Sequence, residues 1–158
     1  MPTEPSSDPR QVCTFLVEGL LFGVEVTRVQ EVIRHQEMTP VPLSPGVVSG
    51  LINLRGRIVT ALDLRLRLGL SARPAHELPT NVVVRHKEGL VSLLVDEIGD
   101  VVEVDEASFE HPPETLAEGA RALISGVYKL EPQLLLLLDA ELATQVQFQS
   151  NDSRRKHG

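Results

Sequence analysis

The side chains able to do chemistry in this 158-residue sequence are five histidines, one cysteine and an uneven scatter of charge. His35, His76, His86, His111 and His157 show neither H-x-x-x-H nor H-E-x-x-H spacing, and Cys13 has no ligand beside it, so no metal site of the usual zinc kinds is expected. The run Gly46-Val47-Val48-Ser49-Gly50 carries its serine at the fourth place, where a nucleophile elbow needs it at the third, and reads as a turn. Gly50 and Gly56 lie one residue too far apart for a phosphate-binding loop, and Arg57 stands where that loop has Lys followed by Ser or Thr. Nine acids between Asp96 and Glu118, with no Lys or Arg among them, lack the alternation that folds oxygens around calcium. They read as a solvated face with little binding role. No cofactor, metal or catalytic group is expected.

Basic charge is the more concentrated feature. Arg55, Arg57, Arg65, Arg67 and Arg73 place five of the fifteen basic residues within nineteen positions. On an acidic protein such a patch favours an acidic protein partner. Arg65 and Arg67 equally fit the wet side of an alternating segment, so both readings stand for them. Arg55 differs, because between Asn53 and Gly56 it sits in a turn, where a guanidinium projects from rigid flanking strands and can make bidentate contacts.

The elements that position these residues are short. Residues 11–17 and 20–26 flank Glu18-Gly19 as a hairpin. Val26, Val29 and Ile33 then share a helical face behind a Thr27 to Gln30 capping box, which predicts a helix of about two turns over residues 27–34. Prolines 40, 42 and 45 leave residues 38–43 extended and 44–46 turning, before strands on either side of the turn at 55–57. Alternation alone makes residues 62–70 a strand. Residues 71–79 form a linker, 81–85 and 90–95 a hairpin, and 101–104 and 122–130 further strands. The five-leucine run 134–138 is short for a helix, and Asp139 is placed to cap a helix over 140–145.

Composition sets the class. An apolar content of 42% supports a folded chain, and the absence of Trp leaves an aliphatic, strand-compatible core. One cysteine excludes an internal disulfide framework and fits a reducing compartment, with Cys13 buried and inert. No run approaches 18 apolar residues and the N-terminus is polar, so neither membrane insertion nor export is expected. A net charge of -7 argues against nucleic acid, leaving proteins as partners. Many short strands with one or two short helices indicate small barrels, two of them sharing an apolar interface.

The residues Phe22-Gly23-Val24-Glu25-Val26, Val29-Gln30-Glu31-Val32, Thr39 to Pro42, Pro45, Gly50-Leu51-Ile52-Asn53-Leu54-Arg55-Gly56-Arg57-Ile58-Val59 and Asp63-Leu64-Arg65 resemble, in order and spacing, the pattern of the CheW coupling proteins. The Asn81 to Asp96 hairpin, Ile124-Ser125-Gly126-Val127 and the leucine run ending at Asp139 extend the resemblance more weakly, over about residues 11–145 in all. Pro40, Ser49 and Thr60 depart from the pattern.

The resemblance implies a mainly β fold of two interleaved SH3-like five-stranded β-barrels with short helices. The CheW-like domain would span 11–146, with subdomains near 22–80 and 81–139, a shared N-terminal strand, and flexible tails at 1–10 and 151–158. It also implies a short helical turn over 64–69, against the alternation. Functionally it implies a cytoplasmic, non-enzymatic adaptor, monomeric in isolation and assembled into arrays. Its partners would be the cytoplasmic tip of a methyl-accepting chemoreceptor and the regulatory domain of a CheA-type histidine kinase. Val29, Glu31, Gly50 and Arg55 fall on motif positions used for partner contact, and Asn53 and Gly56 complete the turn. The alternative from another class is a small-molecule-binding or enzymatic β-barrel using Arg55 and Glu31.

Overall fold

The computed structural model describes residues 10–87, 89–114 and 116–145. Strand β1 (Arg10–Val17) returns as β2 (Leu20–Glu25) through Glu18-Gly19, both at positive φ, the twist-matched turn that lets a two-residue loop close a hairpin. A 3-10 turn (Val26–Arg28) leads to β3 (Val29–Ile33). Then follow β4 (Val48–Leu54), β5 (Arg57–Asp63) and the single turn α1 (Leu64–Arg67), and the hairpin β6 (Thr80–His86) and β7 (Gly89–Val95). The remainder is β8 (Glu97–Val104), a 3-10 turn (Glu106–Ser108), β9 (Phe109–Glu110), α2 (Glu118–Arg121), β10 (Ile124–Leu130), β11 (Gln133–Leu138) and α3 (Ala140–Ala143).

The strands form two mixed sheets, one in the order β8-β1-β2-β11-β10-β9 and the other β3-β6-β7-β5-β4. The fold is mainly β and SH3-like in kind, but among the described residues the strand counts are six and five, and neither sheet is closed by a continuous ladder. Sheet membership changes between β7 and β8, so β6 and β7, placed by the sequence in the second subdomain, belong with β3 to β5. The cause is pairing: β6 is antiparallel to β3 and β7 parallel to β5. The N-terminal hairpin joins the later strands through parallel pairing of β2 with β11, which interleaves the chain. Of the expected tails, all but Arg10 lies outside the described residues, and Arg10 opens β1 opposite Val104.

The expected helix over 27–34 is a 3-10 turn followed by a strand. Val29, Val32 and Ile33 are β-branched and pair with β6, and along β3 Val29, Glu31 and Ile33 are partly buried while Gln30 and Val32 are exposed. The 3-10 turn sets Val26 three residues before Val29, and two strand repeats carry the same face on to Ile33, a spacing that matches a helical face. Residues 64–69 follow the resemblance over the alternation: Asp63 caps α1, its Oδ1 accepting from the Arg65 amide at 3.0 Å, and Leu64 and Leu68 are buried while Leu66 is exposed. Asp139 likewise accepts from the Leu142 amide at 3.0 Å and starts α3. The five-leucine run is a strand buried on both faces: Leu135 and Leu137 face a small cluster with Val12 and Tyr128, and Leu136 and Leu138 face the main core. That core joins Phe15, Phe22 and Leu136 of one sheet to Leu62, Val82 and Leu93 of the other. Cys13 is buried in it, and burial pushes its thiol up, keeping it unreactive.

Candidate functional site

Strands β3 and β4 are opposite edges of the five-stranded sheet, and the candidate residues lie where those edges approach. At the β4–β5 turn Arg55 and Gly56 have φ of 51° and 88°, so the loop needs positive φ at both positions. Gly56 meets this without strain, and the Asn53 Oδ1 accepts from the Gly56 amide at 2.8 Å to brace the turn. Arginine is a poor choice for such backbone, where Asn, Asp or Gly would be favoured, so its side chain must supply the reason for its presence.

That side chain crosses to β3. Arg55 Nη1 and Nη2 donate to Glu31 Oε2 and Oε1, each at 2.6 Å, a parallel two-bond pairing that ties the sheet edges together. The Arg55 side chain is 72% exposed and that of Glu31 only 20%, so Arg55 remains open to solvent while Glu31 holds it from behind. The hydrogen bond to Arg55 holds the Glu31 carboxyl below the usual carboxylate range, and the same bond raises Arg55. Neither group is poised to exchange a proton near neutral pH, so the pair is suited to contact and not to acid/base chemistry.

The other predicted residues take different roles. Val29, half-buried in β3, packs against the main core, and its carbonyl accepts from Arg85 Nη1 at 3.2 Å. Gly50 is buried: a Cβ there would lie 2.7 Å from the Thr39 carbonyl oxygen. It is bare because Thr39 bridges Leu51 through hydrogen bonds of 2.9 and 2.8 Å, laying residues 38–39 along β4. A shallow groove results, lined by His35, Gln36, Glu37, Thr39, Leu51 and Asn53. Beside the turn, Ile58 pairs with Asn53 and is 65% exposed, an apolar neighbour for Arg55 that its strand position did not announce.

The five clustered arginines do not form one patch. Arg65 donates to Asp96, Arg73 to Asp96 and the Leu94 carbonyl, and Arg67 to the carbonyls of Leu142 and Ala143. These three make structural contacts, so neither the solvated-side reading of Arg65 and Arg67 nor the shared partner patch with Arg73 survives. Asp96 likewise leaves the acidic solvated face, while Glu97, Asp100 and Glu103 of β8 remain exposed. The sequence marked Asp96 only as the end of a hairpin and the start of the acidic stretch, with nothing to pair it with Arg65 or Arg73.

Residues 11–147 match the family model of the CheW-like domain. The chain belongs to the CheW-like domain family. It is 31% identical to the chemotaxis protein CheW of Bacillus subtilis, over 82% of this chain and 83% of that protein. It is 30% identical to protein PilI of Pseudomonas aeruginosa, over 82% of this chain and 72% of that one. Among solved structures it is similar to the scaffolding protein TtCheW of Thermoanaerobacter tengcongensis, with a TM-score of 0.77 and 26% identity, covering 88% of this chain and 94% of that one. The CheW-like match thus takes in both sheets and the whole Arg55 site. Among the described residues no group of His, Cys, Asp and Glu is arranged to hold a metal, and no helix is long and apolar enough to cross a membrane.

Proposed function

We propose that this chain is a non-catalytic chemosensory adaptor that couples the cytoplasmic tip of a methyl-accepting chemoreceptor to the regulatory domain of a CheA-type histidine kinase. Membership in the CheW-like family and likeness to a scaffolding protein support the role. The observation that carries the site is Arg55, an arginine kept on turn backbone that disfavours it, held in a two-bond pairing with Glu31 and still open to solvent. A guanidinium so presented recognises carboxylates or backbone carbonyls of a partner. Val29, Glu31, Gly50, Asn53 and Gly56 act with it: Glu31 orients it, Asn53 and Gly56 shape the turn, Gly50 admits the 38–39 segment, and Val29 anchors β3. The adaptor works in the cytoplasm beneath receptor arrays, as a monomer until its partners recruit it.

A pull-down with a CheA-type regulatory domain, run beside a thermal-shift screen of metals and metabolites, tests this reading. Capture of the kinase domain with no small-molecule shift supports it. A specific shift by a small molecule with no capture supports the ligand-binding β-barrel that uses Arg55 and Glu31 instead.

A further inference from the structure

We propose that Asp96 is a positioning residue whose carboxylate, gripped by Arg65 and Arg73, latches the two sheets at one mutual orientation. Asp96 is the single residue between β7 and β8, where the chain passes from the five-stranded to the six-stranded sheet. On the six-stranded side its amide donates to the Leu16 carbonyl at 3.0 Å, and its Oδ2 accepts from the Glu18 amide at 2.7 Å, both in the β1–β2 hairpin. On the five-stranded side the carboxylate accepts from Arg65 Nη2 at 2.7 Å, Arg65 Nε at 3.0 Å and Arg73 Nε at 3.0 Å.

Each arginine is itself fixed. Arg65, on α1, donates to the Ser71 and Ala72 carbonyls at 3.3 and 3.4 Å. Arg73 donates to the Leu94 carbonyl at 3.4 Å and lies 3.5 Å from Asp63 Oδ2. The four side chains are 7–15% exposed, so solvent screens them little. Apolar contact between the sheets is non-directional and tolerates sliding, whereas planar guanidinium–carboxylate pairing fixes angle and distance. A largely buried ionic cluster adds little net stability over apolar packing of the same volume, and selecting one arrangement among several is the role such clusters best fill.

If the adaptor reading above holds, this latch sets the angle at which two partners meet. The latch itself is tested without any partner. Spin labels are placed by cysteine substitution at Arg57 and Glu103, one on each sheet and both exposed, in a Cys13→Ala background. A second pair at Arg57 and Lys87 lies within the five-stranded sheet's strands and turns. In Asp96→Asn the cross-sheet distance distribution should broaden at least about twofold while the in-sheet pair is unchanged, because the unlatched interface samples more than one packing. Asp96→Glu, which keeps a carboxylate, should recover part of the narrow distribution. If Asp96→Asn does not fold, Arg73→Gln, which removes one of the two grips, takes its place.

An unchanged cross-sheet distribution, or equal broadening of both pairs, overturns the latch. In the assembly assay, Asp96→Asn should keep binding to each partner alone within about threefold yet lower the yield of the three-component complex more than about tenfold, since preorganisation is lost. A parent chain that assembles no such complex refutes the adaptor reading, while the distance measurement still decides the latch.

Discussion

Gly50→Ala separates a contact role from a backbone role at a position the sequence marks for partner binding. The added Cβ would lie 2.7 Å from the Thr39 carbonyl oxygen and 3.1 Å from the Met38 Cβ. The nearest obstacle is backbone, so no rotamer change relieves it, and the 38–39 segment must lift from β4. Lifting breaks the two hydrogen bonds between Thr39 and Leu51. At a net contribution of roughly 0.5–1.5 kcal/mol each, the loss is about 1–3 kcal/mol. For a domain of this size that lowers the melting temperature by about 3–10 °C. Hydrogen exchange followed by NMR gives the decisive view: the amides of Thr39 and Leu51 should lose protection together, while those of β6 and β7 keep theirs. Partner binding should weaken as the groove wall is displaced. Retained protection at both amides with a melting temperature within about 1 °C of the parent would refute the reasoning, since no steric route would then connect Gly50 to the site.

Arg55→Asn suits the left-handed turn and removes the guanidinium, so its melting temperature should stay within about 3 °C of the parent, as for other exposed pairs, while partner affinity falls about 30- to 1,000-fold; titration calorimetry with each partner and a thermal melt check both halves, and Arg55→Lys should restore only part of the binding. For Asp96, burial alone would raise the carboxyl, but hydrogen bonds from Arg65, the Glu18 amide and Arg73 outweigh it and hold it below the usual carboxylate range. Its contribution is therefore full above the unfolded-state pKa of about 3.9 and lost as pH falls through the lower folded value. Asp96→Asn should melt roughly 10 °C below the parent, from a loss of about 3 kcal/mol, and thermal melts from pH 8 downward should show that gap constant to about pH 5 and closing below pH 4. Replacing Glu103, Glu106 and Glu110 together with Gln should leave kinase pull-down within about threefold, because exposed rim charges mainly tune association rates; a loss beyond about tenfold would place the interface on the stretch from β8 to β9.

The hairpins were readable because Glu18-Gly19 and Arg55-Gly56 place glycine where a two-residue turn requires positive φ, with β-forming residues on both sides. Both caps, Asp63 and Asp139, act as their residue type predicts, although only Asp139 was readable from the residues alone. The helix over 27–34 misread a 3-10 turn running into a strand: a three-residue step from Val26 to Val29 and two period-two steps to Ile33 reproduce the spacing of a helical face. Sheet membership was illegible because it depends on the parallel pairings of β5 with β7 and β2 with β11, between segments far apart in sequence. At the site, Arg55 and its turn were visible, and Glu31 was set beside Arg55 only as a shared ligand or catalytic site, not as the ion pair that holds the guanidinium. The structural use of Arg65, Arg67 and Arg73 was hidden for the same reason: their partners Asp96, Leu142 and Ala143 are close only in space.

The adaptor role is tested most directly by titrating the chain into the isolated regulatory domain of a CheA-type kinase, and then a receptor tip into that mixture, with Arg55→Asn run in parallel. Saturable one-to-one binding to the kinase domain, recruitment of the receptor tip into the same complex and a marked loss of affinity in the variant are the predicted results. Failure of the parent to bind either partner, or full binding of both by Arg55→Asn, would contradict the account.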